Sequence, residues 1–191
     1  MSSRPSIIEP GESTDENINK LLYESEEDWY GDAAFFGAMA HQPTLLTRIV
    51  SLFDAFSQGE HIDAETLELM RLKVAETHQC AYCATVRTQD VRDEVAPKEA
   101  SVFGEVDTDA LTRREYLAVR LAEQLSADPH RMTDGFFEAL GEVYSDREII
   151  ELLLFASIEV GLDRFCIALA LDTTERSPYP TGLEYPFENF D

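Results

Sequence analysis

Two cysteines three residues apart, Cys80 and Cys83 in "CAYCATVR", carry the most chemistry in this sequence. The other cysteine, Cys166, lies far downstream in the apolar stretch "DRFCIALAL" and reads as a core residue. Thiols at that spacing admit three readings. At the start of a helix they can close a disulfide, and there free backbone N–H groups and the helix dipole favour the thiolate. They could be half of a zinc site. Zinc normally takes four ligands, however, and neither a second CxxC nor an HxxxH follows; His41, His61, His78 and His130 are scattered. They could also be two small apolar side chains on a packed helix. The redox dithiol is the leading reading. No metal or cofactor is expected, and a glycine-rich phosphate loop is missing.

Glu68 lies twelve residues before Cys80 on a strongly apolar helical segment, and a buried carboxylate needs a partner. In one unbroken helix the two would be about 18 Å apart on different faces. If the chain turns near "THQC" and returns antiparallel, Glu68 approaches Arg87, one helical turn beyond Cys83. The hairpin would then assemble Glu68, Arg87, Cys83 and Cys80. An ordinary structural ion pair between Glu68 and Arg87 is the alternative. Tyr82 would line the pocket or donate to a peroxide, and His78 would end its helix or reach the thiols as a base.

The elements that must position these residues are helical. Leu46, Ile49, Val50, Phe53 and Phe56 recur at three- and four-residue steps in "PTLLTRIVSLFDAF", giving one buried stripe. Asp63 caps "AETLELMRLKVAETH", whose apolar positions cover more than half of its circumference and predict deep burial. "ATVRTQDVRDE" should continue as helix to Pro97. Capping boxes begin at Ser13, Thr112 and Ser145, each followed three residues later by Glu. The last one opens the long run "EIIELLLFASIEVGLDRFCIALAL". Convincing strands are absent, so an all-α bundle of roughly seven to nine helices is expected. It would comprise an N-terminal extension with a short helix over 1–30, whose first residues are a flexible lead-in. A helical domain over 31–172 follows, then an extended tail over 173–191 packed on a surface.

Composition narrows the function. Thirty-eight acidic against 15 basic residues give a net charge of −23, which repels nucleic acid and anionic membranes. The charge is spread along the chain and suits a salt-rich, halophilic cytoplasm where it is screened. No apolar run approaches the roughly 20 residues of a membrane span, and no secretory signature opens the chain. A cytoplasmic location is therefore expected, where a purely structural disulfide is unusual.

The segment "ETLELMRLKVAETHQCAYCATVR", with "MAHQPTLLTRIVSLFDAF" before it and "FFEALGEVYSDREIIELLLFASIEVGLDRFCIALAL" after it, resembles the alkylhydroperoxidase-D / carboxymuconolactone decarboxylase family from about Ala38 to Leu171. Redox members carry Glu, eleven residues, CxxC, and His four positions after the second Cys. Glu68, Cys80 and Cys83 match; Arg87 stands where the His would be. The resemblance implies the family's all-helical bundle, peroxide reduction or thiol–disulfide exchange, an external dithiol reductant, and a homo-oligomer, trimeric or hexameric. It implies Cys83 as the attacking thiol and Cys80 as the resolving one. Arg87 can stabilise a thiolate, but it stays protonated and cannot relay protons as His does. A lactone decarboxylase acting on a small carboxylated ring and a non-catalytic redox sensor are the alternatives.

Overall fold

The computed structural model describes residues 4–57 and 61–171. The tail expected over 173–191 lies outside them. Among the described residues the chain is all helical. Nine α-helices follow one another: α1 (Glu16–Glu24), α2 (Ala34–Met39), α3 (Pro43–Ser57), α4 (Ala64–His78), α5 (Ala81–Thr85), α6 (Arg92–Val95), α7 (Arg113–Ala127), α8 (Asp134–Gly141) and α9 (Asp146–Leu169). None is long and apolar enough to cross a membrane.

The central helix is α4, buried from Thr66 to Ala75 and packed against α7 and α9. Its polar residues therefore all need partners inside the protein. Lys73, 1% exposed, has several. Its ammonium donates to Glu76 at 2.8 Å and to the carbonyls of Val102 and Gly104, and it lies 3.3 Å from Glu123 of α7. The Asp63 cap and the boxes at Thr112 and Ser145 form as their sequences predict.

The structure departs from the sequence reading in three places that matter to the site. The cap of α1 is Asp15, not Ser13, whose backbone N–H is taken instead by the Asn19 side chain. The lead-in is docked: Arg4 N–H donates to the carbonyl of Leu169, and Ile8 N–H to that of Gly37. Gly37 permits that approach, because a Cβ there would lie 2.5 Å from the Ile8 carbonyl oxygen. Ile18 and Leu22 of α1 thus share one core with Phe35, Phe36, Cys80, Tyr82 and Cys83.

The third departure is α5, which stops at Thr85 instead of running on to Pro97. Two guanidinium groups draw its carbonyls out of helical pairing. Arg71 donates to the carbonyls of Cys83 and Val86, at 2.6 and 2.7 Å, and Arg87 to those of Ala84 and Val86. Val86 is extended (ψ 154°), so the chain leaves the helix one turn after the second cysteine.

Candidate active site

A left-handed residue makes the turn that presents the cysteines. Gln79 (φ 56°) closes α4, with Gln79 N–H bonded to the carbonyl of Glu76 and Cys80 N–H to that of Ala75. This paired capping pattern reverses the chain and satisfies two of the last carbonyls of α4. Cys80 then becomes the N-cap of α5, and its Sγ accepts the N–H of Cys83 at 3.3 Å. Cys80 and Cys83 are joined by a disulfide, their Cα atoms 5.3 Å apart, within the usual range for a bridge. Cys80 is fully buried; Cys83 keeps 7% exposure and lines a cavity.

Glu68 and Arg87, expected to meet, are partnered separately. The Glu68 carboxylate is gripped by Arg71, one turn along α4. Arg71 Nε–H donates to Oε2 at 2.7 Å and Nη2–H to Oε1 at 2.6 Å. Thr88 adds its hydroxyl at 2.8 Å and its backbone N–H. Burial alone would push the Glu68 carboxyl up, but the charge and hydrogen bonds of Arg71, with those of Thr88, hold it below its ordinary value. Arg87 points to the other side of the connection. It forms a two-pronged pair with Glu99, at 2.7 and 3.0 Å, and lies over the Phe103 ring. The antiparallel return brings the right backbone segments together. Arg71, on the same helix as Glu68, is already within reach and takes the carboxylate first.

The other two residues singled out by sequence fall around the pair. Tyr82 donates its hydroxyl proton to Asp32 at 2.8 Å and accepts the N–H of Phe35, tying α5 to the start of α2. It also lines the cavity beside Cys83. His78 ends α4, with Nδ1 3.5 Å from Asp163 Oδ2 of α9.

Two adjoining cavities define the space in front of Cys83. The outer one, about 310 Å³, is walled by aromatic rings (Trp29, Tyr30, Phe36, Phe53, Phe56 and Phe155) together with Glu68, Arg71 and Glu159. The inner one, about 30 Å³, holds Cys83, Tyr82, Asp163 and Cys166. Tyr30, Phe53, Arg71 and Glu159 belong to both. Arg71 lies under the Tyr30 ring, 5.7 Å from its centre.

Sequence reasoning missed Arg71, Glu159 and Asp163, and placed Cys166 only in the core. Glu159, Asp163 and Cys166 are spaced four and three apart, so they share one face of α9. That spacing was the available signal. Burial pushes the Glu159 carboxyl up to about 8 against the pull of Arg71, and Asp163 and Glu68 add to the rise. Asp163 is likewise raised by burial, opposed by His78 and Arg71.

Comparison with solved structures shows that this helical bundle, with its CxxC at the turn after the central helix, has an alkylhydroperoxidase-D-like fold. The chain superposes on a peroxidase-related protein with an alkylhydroperoxidase AhpD core from Ralstonia eutropha JMP134 (TM-score 0.73, 17% identity, 96% of this chain and 99% of that one). It also superposes on a peroxidase-related protein from Silicibacter sp. TM1040 (TM-score 0.75, 14% identity, 95% and 97%). A third similar structure is a Cys-to-Ala variant of the debrominase Bmp8 in complex with 2,3,4-tribromopyrrole (TM-score 0.74, 18% identity, 91% and 95%). In sequence the chain is 22% identical to YdfG of Bacillus subtilis over 125 residues, 64% of this chain and 85% of that protein. No protein-family model matches the chain.

Proposed function

We propose that this protein is a thiol–disulfide oxidoreductase that reduces peroxides through Cys83 and Cys80. The observation that carries the reading is the Cys80–Cys83 pair at bonding distance, with Cys83 on the wall of a cavity that opens into the aromatic pocket. The Cys83 thiolate attacks one peroxide oxygen, the O–O bond breaks, and the departing oxygen takes a proton to leave as water or alcohol. Cys80 then displaces hydroxide from the Cys83 sulfenic acid, forming the disulfide and water. An external dithiol returns two electrons and restores both thiols. The aromatic lining and volume favour an organic hydroperoxide over hydrogen peroxide alone. Leu45 and Leu52 of α3 and Ile150 and Leu154 of α9 are exposed in a single chain. Burial between copies in a homo-oligomer would account for them.

The test is thiol titration of the reduced protein before and after one equivalent of cumene hydroperoxide, followed by peptide mapping. Loss of two thiols as a Cys80–Cys83 crosslink, reversed by a dithiol, is the expected result. Survival of all three thiols would sink the reading.

Arg87 cannot supply the proton, and its guanidinium is committed to Glu99 and to backbone carbonyls. Glu159 is placed to do so. With a pKa raised to about 8 it is protonated at neutral pH, and it faces the same inner cavity as Cys83. It would protonate the departing oxygen as a general acid. Turnover should therefore fall as pH rises through about 8. Glu159→Gln should be slower by about a hundredfold and lose that limb of the pH profile. A Glu159→Gln profile superimposable on the native one would rule the residue out.

A second reading shares the first chemistry. The aromatic pocket and the likeness to a debrominase favour reductive removal of halogen from a small aromatic ring. Two thiols would become a disulfide while Ar–Br becomes Ar–H and HBr. Bromide release from a bromopyrrole by the reduced protein distinguishes it. The lactone decarboxylase alternative finds less support, because the pocket's cation, Arg71, is already matched by Glu68.

A further inference from the structure

The third cysteine has no part in the chemistry above, yet α9 brings it to the pair. Cys166 is buried, and its Sγ, Cys80 Sγ and Cys83 Sγ all lie within 4.8 Å of one another. Cys83 and Cys166 share the inner cavity of about 30 Å³ with Asp163, room for about one small ion or water. Asp163, 2% exposed, lines that cavity, and its Oδ2 faces His78 Nδ1 at 3.5 Å, a long ion-pair contact rather than a hydrogen bond.

As a free nucleophile Cys166 is poorly placed. Burial, then the nearby Asp163 and Glu159 carboxylates, pushes its thiol well above the ordinary value. A metal cation changes this, because a coordinating thiol is deprotonated outright by the charge it binds.

We propose that, once Cys80 and Cys83 are reduced, Cys80, Cys83 and Cys166 form a trithiolate site for a thiophilic metal cation of the Zn²⁺/Cd²⁺ class, with Asp163 in the surrounding shell. Thiolates select soft metals, and a water or exogenous thiol in the fourth position would complete the tetrahedral shell. Binding releases the thiol protons to solvent. The metal and the disulfide exclude each other, since oxidation joins two of the ligands. A bound metal would therefore block peroxide oxidation of the pair. The inference rests on the redox reading only in needing a reducible Cys80–Cys83 bridge.

The experiment is an anaerobic titration of metal-free, phosphine-reduced protein with Cd²⁺, followed by the thiolate-to-cadmium charge-transfer absorption. One equivalent should bind per chain, and Zn²⁺ should compete for it. Cys166→Ala and Cys166→Ser, both checked for native helical circular dichroism, should each weaken binding by about a hundredfold or more, and Asp163→Asn by about tenfold. Disulfide-form protein should show no band. Binding of Cd²⁺ by either Cys166 variant as tightly as by the native chain would overturn the site, as would a band of undiminished intensity in the disulfide form. Peroxide treatment of metal-free Cys166→Ser separates the two readings. A Cys80–Cys83 crosslink there upholds the redox chemistry whatever becomes of the metal. Cadmium binding by a native protein inert to peroxide upholds the metal site alone.

Discussion

Cys83→Ser should lower thiol-dependent peroxide turnover at least about a thousandfold and leave no peroxide-induced crosslink. The size follows from the role: a nucleophile removed from a unit that acts together costs nearly the whole rate enhancement. The serine hydroxyl is close in shape to the thiol. The N–H of residue 83 still donates to Cys80 Sγ, so α5 should keep its cap. Cys80→Ser should behave differently. Attack at Cys83 remains possible there, but without the resolving thiol the sulfenic acid persists. A carbon nucleophile selective for sulfenic acids should therefore label residue 83 in Cys80→Ser and leave the native chain largely unlabelled after turnover. Mass spectrometry of the labelled peptide reads the outcome. Label at residue 80 of Cys83→Ser, with turnover retained, would reverse the assignment of the two thiols.

The second large effect lies at Arg71. Arg71→Ala should destabilise the fold by about 3–5 kcal/mol, the usual cost of removing one partner of a buried ion pair. For a domain of this size that corresponds to a fall in Tm of roughly ten degrees. The Cys83 carbonyl loses its side-chain donor, the Glu68 carboxylate is left with Thr88 alone, and the Val86 carbonyl with Arg87. Arg71→Lys should recover only part of the loss, because an ammonium cannot fork across both carboxylate oxygens and reach two carbonyls. The pH dependence has a definite sign. A carboxyl whose folded-state pKa lies below its unfolded value contributes stability above the unfolded value, and that contribution is lost as pH falls through the folded one. Glu68 is such a group, so the gap between native and Arg71→Ala should narrow in acid. Thermal melts at neutral and acid pH test this; equal Tm values for native and Arg71→Ala at neutral pH would sink it. Activity should fall as well, since the carbonyl of Cys83, the proposed nucleophile, is anchored by this guanidinium.

Local signals carried the helices and the cysteine turn. The capping residues Asp63, Thr112 and Ser145 form short-range hydrogen bonds that need no tertiary context, so those helix starts were legible. The spacing of Cys80 and Cys83 placed both thiols on one helical turn, and the apolar circumference of α4 announced its burial together with the need of Glu68 for a partner. Which partner it took was decided by packing. Arg71 and Arg87 both lay within plausible reach, and the competing pull of Glu99 over the Phe103 ring drew Arg87 away. The end of α5 followed from the same contacts, because two guanidinium groups displaced helical hydrogen bonds that local propensity would have continued. The face of α9 carrying Glu159, Asp163 and Cys166 was visible as a spacing. Its meeting with Cys83 across an inner cavity was not, because that depends on how α9 lies against α4 and α5, and side chains distant in sequence are brought together by burial of apolar surface rather than by any local pattern.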